Sequence, residues 1–519
     1  DFVHEGVGGA ASEPWRASGE AAASAVVSAC EVVSRALQKT PGMPLRVMGV
    51  DTASHHARAS GYAVLPPHSA ACAGGDTAAA GEASLVAQPV DCIVTLESSG
   101  KWPKDLSAVA ASKCAFLLKM RYGLPKILGT DVAVQVRVPA ALRALFADAA
   151  PAAAAMVGET PEGIAEALHA AQEHEGSLVI DDRDVTSWCP ALIVMFGGYV
   201  FRLWLWLPQE LAGWTALTRQ PATQVFGSTT LLAPYGGIFA TEATMASGFV
   251  NIGRVGGASK EAPPAPVQRG DLDAGMQHLR PAARAFVDIQ PQQAVQRATA
   301  LYRRCVLAPR HAKAVTAFGA VYPAYAGATR LAAQWLAAQG MLGVHVTYEA
   351  LEMTMAHVFM DPRPLSVPAS AFSALLRWLQ WLATWDFAHS ALLVDWEGDA
   401  KATDEVSLQH RAAVRRASEG DGAPAWFLVT MWDRGLWSPQ WSDPRSGHGP
   451  SHVVAAKLRH EAGVAAGLLR GLAAQHCALV HVAPAAPAGA TKRGRTDEEA
   501  PAAAADWERL FAPAPVGSM

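Results

Sequence analysis

Three aspartates, Asp181, Asp182 and Asp184, gather just before the most apolar run of the chain. Carboxylates in twos and threes are what metal-assisted nucleotidyl transfer requires, because two divalent ions need oxygen ligands converging from adjacent strands. Here Asp182 and Asp184 precede Pro190 in a stretch with the composition of a polar loop, and the reading is a solvated loop. The one Phe-Gly-Ser, Phe226-Gly227-Ser228, meets no acid until Glu242. His169 and His174, with Glu173 and Glu175, lack the helix-face spacing of a zinc hydrolase. Asn251 to Gly257 (NIGRVGG) lacks the lysine and the strand-then-helix setting of a phosphate-cradling loop, and no Gly-x-Ser-x-Gly elbow occurs. Neither a catalytic set, nor a metal site, nor a cofactor is expected.

The basic residues are more suggestive. Arg303, Arg304, Arg310, His311 and Lys313 put five potential donors into eleven residues, just before a turn bearing Gly and Tyr. Such a cluster can line a phosphate-binding edge for RNA, the competing reading being a solvated helix face. Lys101 and Lys104 flank Trp102, and a cation beside an aromatic ring can grip a nucleic-acid strand. A tryptophan that packs a loop onto a sheet would look the same.

These residues have to be positioned by regular elements. Helical spacing runs over 20–38, with Val26, Val33 and Leu37 on one face and Pro41-Gly42 as a stop. Strand-like segments follow at 45–50 and 91–97, separated by an Ala-, Gly- and Pro-rich loop at 66–90. A helix is predicted over 107–122, an alternating strand over 132–138 and a further helix over 161–174. Ala191 to Leu207, two apolar runs around Gly197-Gly198, predicts a hairpin covered on both faces and hence central in a sheet. Residues 208–295 read as long loops or an insertion. Helices are then predicted at 293–306, 311–319, 327–341, 344–360 and 369–385, a strand at 424–432 and a helix at 451–474. Trp378, Trp381 and Trp385, three and four apart, are read as core rather than as a platform for bases.

At 519 residues the chain exceeds one ordinary core. The organisation expected is a first domain over 1–292, with long loops at 208–292, a helical domain over 293–480, and a disordered linker or tail over 481–519. That tail holds Lys492-Arg493-Gly494-Arg495, a short candidate import signal. Hydrophobic residues are 51% and charged residues 17%, a globular balance, and the net charge of −4 argues against coating nucleic acid with the whole surface. The apolar run at 191–207 is shorter than a membrane span, carries Arg202 and is broken by its glycines, so no membrane partner is expected. Seven widely spaced cysteines without a Cys-x-x-Cys pair fit buried thiols in a reducing compartment. A chain that opens on Asp1 is expected to be a piece of a longer one.

Several blocks recur in an order that carries a family resemblance: Pro44-Leu45-Arg46-Val47 with Tyr62 and Pro66-Pro67; Leu96-Glu97-Ser98-Ser99-Gly100-Lys101-Trp102-Pro103; Lys113 to Lys119; and Gly198-Tyr199-Val200-Phe201-Arg202-Leu203. Further on stand the stretch from His311 through Trp335, Phe359-Met360-Asp361-Pro362-Arg363-Pro364-Leu365, Trp385-Asp386-Phe387, Leu392 to Asp395, and Trp426 to Thr430. With these blocks the chain resembles the nucleolar RNA-associated protein (Nrap) family of the small-subunit processome. Residues 506–511 resemble the family's entry into a further domain, so the chain is expected to be a C-terminal part without the last domain.

The resemblance implies an α/β fold: a nucleotidyltransferase-like mixed-sheet domain, inactive, followed by a mostly helical poly(A)-polymerase/oligoadenylate-synthetase-like domain. Working polymerases of that kind place a lysine about two residues before the counterpart of Trp335, where Ala333 and Gln334 stand here. It also implies a non-catalytic scaffold in pre-18S rRNA processing in the nucleolus. The implied partners are pre-rRNA, other processome proteins, a small subunit of the same subcomplex and casein kinase 2. The alternative is an active template-independent nucleotidyltransferase using ATP and a divalent metal.

Overall fold

The computed structural model describes residues 19–61, 86–87, 89–97, 103, 106–129, 132–138, 142, 179–180, 188–218, 287–433, 439–443 and 449–481. They divide into two compact units, one from residues 1–59 and 63–313, the other from residues 60–62 and 314–519.

In the first unit, helix α1 (Gly19–Gln38) buries Val26, Cys30, Val33 and Leu37, spaced four, three and four residues apart along one face. It packs beside strand β1 (Val47–Thr52), followed by β2 (Val86–Ala87) and β3 (Val90–Leu96). Helix α2 (Leu106–Leu128) is apolar over most of its circumference and is buried accordingly, including Lys113. Strands β4 (Ala133–Arg137), β5 (Val179–Ile180), β6 (Ala191–Phe196) and β7 (Tyr199–Trp206) come next. The main sheet has the order β1-β3-β7-β6-β4, with β3 and β7 parallel and the other pairs antiparallel. The hairpin expected at 191–207 is therefore β6–β7 and lies inside the sheet. Its turn, Gly197 and Gly198 at φ 60° and 81°, is the conformation a two-residue hairpin needs and β-carbons resist.

The stretch after the hairpin, expected to be loop, opens as helix α3 (Pro208–Thr218). Its proline has no N–H to miss in the first turn, and its buried residues Glu210, Leu211, Trp214 and Thr215 fit against α2. Residues 219–286 lie outside the described set, as does the helix expected at 161–174. Helix α4 (Pro291–Tyr302) packs on α3 and continues without a break through a π-turn (Arg303–Leu307) into α5 (Ala308–Val321). The gap expected between residues 306 and 311 is filled by the last residue of this wider turn and the first turn of α5. The division between the units falls between Lys313 and Ala314, inside α5.

The second unit continues with α6 (Pro323–Ala338), α7 (Tyr348–Met360) and α8 (Ala371–Thr384). Thr347 caps α7 and Ser370 caps α8 through a reciprocal pair with Ser373, satisfying N–H groups that a helix start leaves open. Strand β8 (Leu392–Val394), helix α9 (Ala402–Glu419), strand β9 (Leu428–Thr430) and the long helix α10 (His452–His481) complete it. β8 and β9 form a parallel pair. Helix α9, which turns only Leu408 and Ala412 of its apolar residues inward, is too polar to have been visible as a helix in the sequence. Among the described residues no helix is long and apolar enough to cross a membrane.

Candidate functional site

On the main sheet the register sets Asp51 of β1 opposite Ile93 of β3, and Asp91 two residues earlier on β3. Side chains alternate along a strand, so both carboxylates stand on one face of the sheet. The parallel ladder adds Arg202 and Trp204 of β7, level with Asp91 and Ile93. The Arg202 guanidinium donates from Nε and a terminal nitrogen to the two oxygens of Asp91 at 2.6 and 2.9 Å, and Trp204 Nε1 donates to the first at 2.8 Å. Burial alone would push the Asp91 carboxyl up. The charge and hydrogen bonds of Arg202, with Arg304 nearby and the Trp204 N–H, outweigh it and hold the group down at about 2. Arg304, from the π-turn, lies 4.4 Å above the Trp204 ring, with Arg202 at 5.2 Å from the same ring. Lys313 Nζ pairs with Asp51 at 2.7 Å.

This arrangement bears directly on metal chemistry. The two acids that adjacent strands bring to one face are each engaged by a protein cation. A divalent ion at Asp91 would have to displace a forked, charge-assisted pair. Among the described residues no group of three or more His, Cys, Asp or Glu is placed to hold a metal ion.

Of the basic residues singled out in the sequence, Arg303, Arg304 and Arg310 are half-buried and Lys313 is exposed, all on one continuous helical segment. The neighbouring His311 is fully buried. A π-turn widens the helix by one residue, which changes the direction of every side chain that follows it. Lys101, Lys104 and Trp102 lie outside the described residues, as do Asp181, Asp182, Asp184, His169, His174, Phe226 to Ser228 and Asn251 to Gly257. Sequence reasoning missed Asp51, Asp91, Arg202 and Trp204 as a set. One signal was available: an arginine inside a strand apolar on both faces must find an anion when buried.

A second charged cluster lies deeper in the same unit. Lys113 of α2 donates to Glu210 Oε2 at 2.8 Å and to Cys189 Sγ at 3.0 Å, with all three side chains buried. Burial would lower the Lys113 ammonium, but Cys189, Glu210 and Cys305 around it more than offset that and keep it above its usual range. The Cys189 thiol is pushed up to about 11, first by burial. This pair is a packing device, closed to solvent.

In the second unit Trp335 is buried and meets Trp378 edge to face at 5.9 Å. Trp378 Nε1 donates to Thr354 Oγ1 at 3.1 Å. Ala333 is buried and Gln334 is exposed. Trp381, half-buried, stacks on Trp385 at 4.8 Å. The tryptophan stripe is thus mainly core.

Against known families, residues 7–140 match the Nrap protein nucleotidyltransferase domain 4 and residues 322–482 match the Nrap protein PAP/OAS1-like domain 5, together more than half of the chain. The chain belongs to the Nrap family. The domain 5 match begins at Tyr322, immediately before α6, and ends immediately after α10. The fold is thus a nucleotidyltransferase-like unit followed by a PAP/OAS1-like one. Among Nrap relatives, nucleolar protein 6 of Xenopus laevis is 34% identical over 113 residues, 22% of this chain and 9% of the relative. Nucleolar protein 6 of Homo sapiens is 30% identical over 113 residues, again 22% and 9%. U3 small nucleolar RNA-associated protein 22 of Schizosaccharomyces pombe is 21% identical over 355 residues, 67% of this chain and 22% of the relative. The aligned parts thus span between about a tenth and about a fifth of these three relatives.

Proposed function

We propose that this chain is a non-catalytic scaffold and RNA-contacting part of the small-subunit processome, acting in pre-18S rRNA processing in the nucleolus. Membership of Nrap, and relatives named for the nucleolus and for U3 small nucleolar RNA, support that setting. The observation that carries the non-catalytic reading is the forked pair between Arg202 and Asp91, which engages one of the two carboxylates that share a face of the main sheet. Arg303, Arg304, Arg310 and Lys313 form the proposed phosphate-binding edge, with Lys101 and Lys104 as a second contact. Other processome proteins, a small subunit of the same subcomplex and casein kinase 2 are the proposed protein partners.

Reversing charge at Arg303, Arg310 and Lys313 together tests the RNA contact. Crosslinking to pre-rRNA and the salt dependence of binding should both fall. Unchanged crosslinking would leave a plain protein-interaction module. Because Asp51 and Asp91 share a face of the sheet, an active nucleotidyltransferase is the second reading. Titration with ATP and Mn²⁺, read by calorimetry and by primer extension, separates the two. Neither binding nor extension is expected, and extension lost in Asp91→Asn would establish the enzyme.

A further inference from the structure

The reverse side of β3 holds a pair of thiols for which the RNA reading has no use. Cys92 follows Asp91 on β3 and so points to the opposite face of the sheet. There it meets Cys30, from the buried face of α1, with the two sulfurs 3.5 Å apart across 62 residues of chain. Both side chains are buried, at 0% and 3% exposure. A disulfide requires about 2.05 Å between sulfurs, so closing the bond asks for about 1.5 Å of approach, within reach of small side-chain rotations. The two thiols are not equivalent. The hydrogen bond with Cys92 lowers the Cys30 thiol against the opposing effects of burial, Glu31 and Asp51. The same hydrogen bond, with burial, raises Cys92 well above its ordinary value. Cys114, Cys189 and Cys305, near Lys113, are all raised, in each case first by burial.

We propose that Cys30 and Cys92 are an oxidation site that closes to an intramolecular disulfide when the protein meets hydrogen peroxide. The Cys30 thiol gives up its proton and its sulfur attacks one peroxide oxygen; the O–O bond breaks, Cys30 becomes a sulfenic acid, and the expelled hydroxide takes that proton as the first water. The Cys92 sulfur then attacks the Cys30 sulfur. The S–S bond forms, the S–O bond breaks, and the departing hydroxide takes the Cys92 proton as the second water. Two thiols lose two electrons and one peroxide is reduced to two waters. The link would fasten α1 to the strand that carries Asp91, constraining the unfolded chain and raising the melting temperature.

The test uses the full chain, exposed to hydrogen peroxide, then denatured in N-ethylmaleimide and mapped by peptide mass. The expected product is one linked pair, Cys30 with Cys92, two hydrogens lighter, reversed by dithiothreitol and accompanied by a rise in Tm. In Cys92→Ser the sulfenic acid should persist at Cys30 and be trapped by dimedone. Quantitative alkylation of both cysteines in the peroxide-treated wild type, or a link from either to another cysteine, would overturn the proposal. The wild-type map decides the matter even if the serine variant does not fold.

Discussion

Asp91 and Arg202, level with each other on parallel strands β3 and β7, share a forked ion pair at 2.6 and 2.9 Å on one face of the central sheet. The arginine side chain is 5% exposed and the aspartate 21%, so neither charge is well hydrated. The pair therefore does two things at once. It ties β3 to β7 in the middle of the sheet, and it sets a protein cation against the Asp91 carboxylate.

Truncating Arg202 should consequently cost more than a surface charge would. Arg202→Met leaves the Asp91 carboxylate with only the Trp204 N–H among these donors, and a loss of about 3–5 kcal/mol is expected for breaking a buried pair. Urea unfolding of the variant measures it. Asp91→Asn in the Arg202→Met background should recover part of the loss.

The depressed carboxyl predicts a pH signature. A group whose folded pKa is lowered, here from 3.8 to about 2, contributes its stability above the unfolded value and loses it as pH falls through the folded one. The wild type should thus lose about 2 kcal/mol between roughly pH 4 and pH 2 that Asp91→Asn does not lose. Chemical unfolding across that window, wild type against variant, checks the sign.

Asp51 and phosphate compete for Lys313 on the proposed reading. The Lys313–Asp51 pair is exposed, at 70% and 39%, so removing it should change stability by less than about 1 kcal/mol. Asp51→Asn should instead tighten RNA binding several-fold at low salt, with the gain vanishing as salt rises. Filter binding at two salt concentrations distinguishes this from a structural effect, which would leave affinity unchanged or lower.

Trp335 is core, and Trp335→Ala should cost about 3–5 kcal/mol through cavity formation and loss of the edge-to-face contact with Trp378. Thermal unfolding reads the loss. No accompanying change in nucleotide affinity is expected.

What could be read in advance followed from periodicity. Val26, Val33 and Leu37 announced α1, and the two apolar runs around Gly197-Gly198 announced the hairpin inside the sheet. Elements went unseen where pattern and position part company. Helix α9 sends most of its side chains to solvent, and its two buried apolar residues, Leu408 and Ala412, are too few to mark a face. The π-turn at 303–307 is invisible because its residues look like any helix, and a break was expected just after it, where the chain instead runs on as α5. Pro323 interrupts the chain only at Tyr322, so α5 and α6 nearly abut where a longer gap was expected. The candidate site was the least legible part. Asp51, Asp91 and Arg202 stand far apart in sequence, and only strand register makes them neighbours. That basic residues crowd into 303–313 is plain in the sequence, whereas the pairing of Lys313 with Asp51 is not.

The interior partnership of Lys113 with Glu210 has an evolutionary corollary. Either residue replaced alone strands a charge where water cannot reach it, while both replaced together by apolar side chains leave a packable interior. Positions 113 and 210 are therefore expected to tolerate replacement as a unit better than singly, although 97 residues of chain separate them.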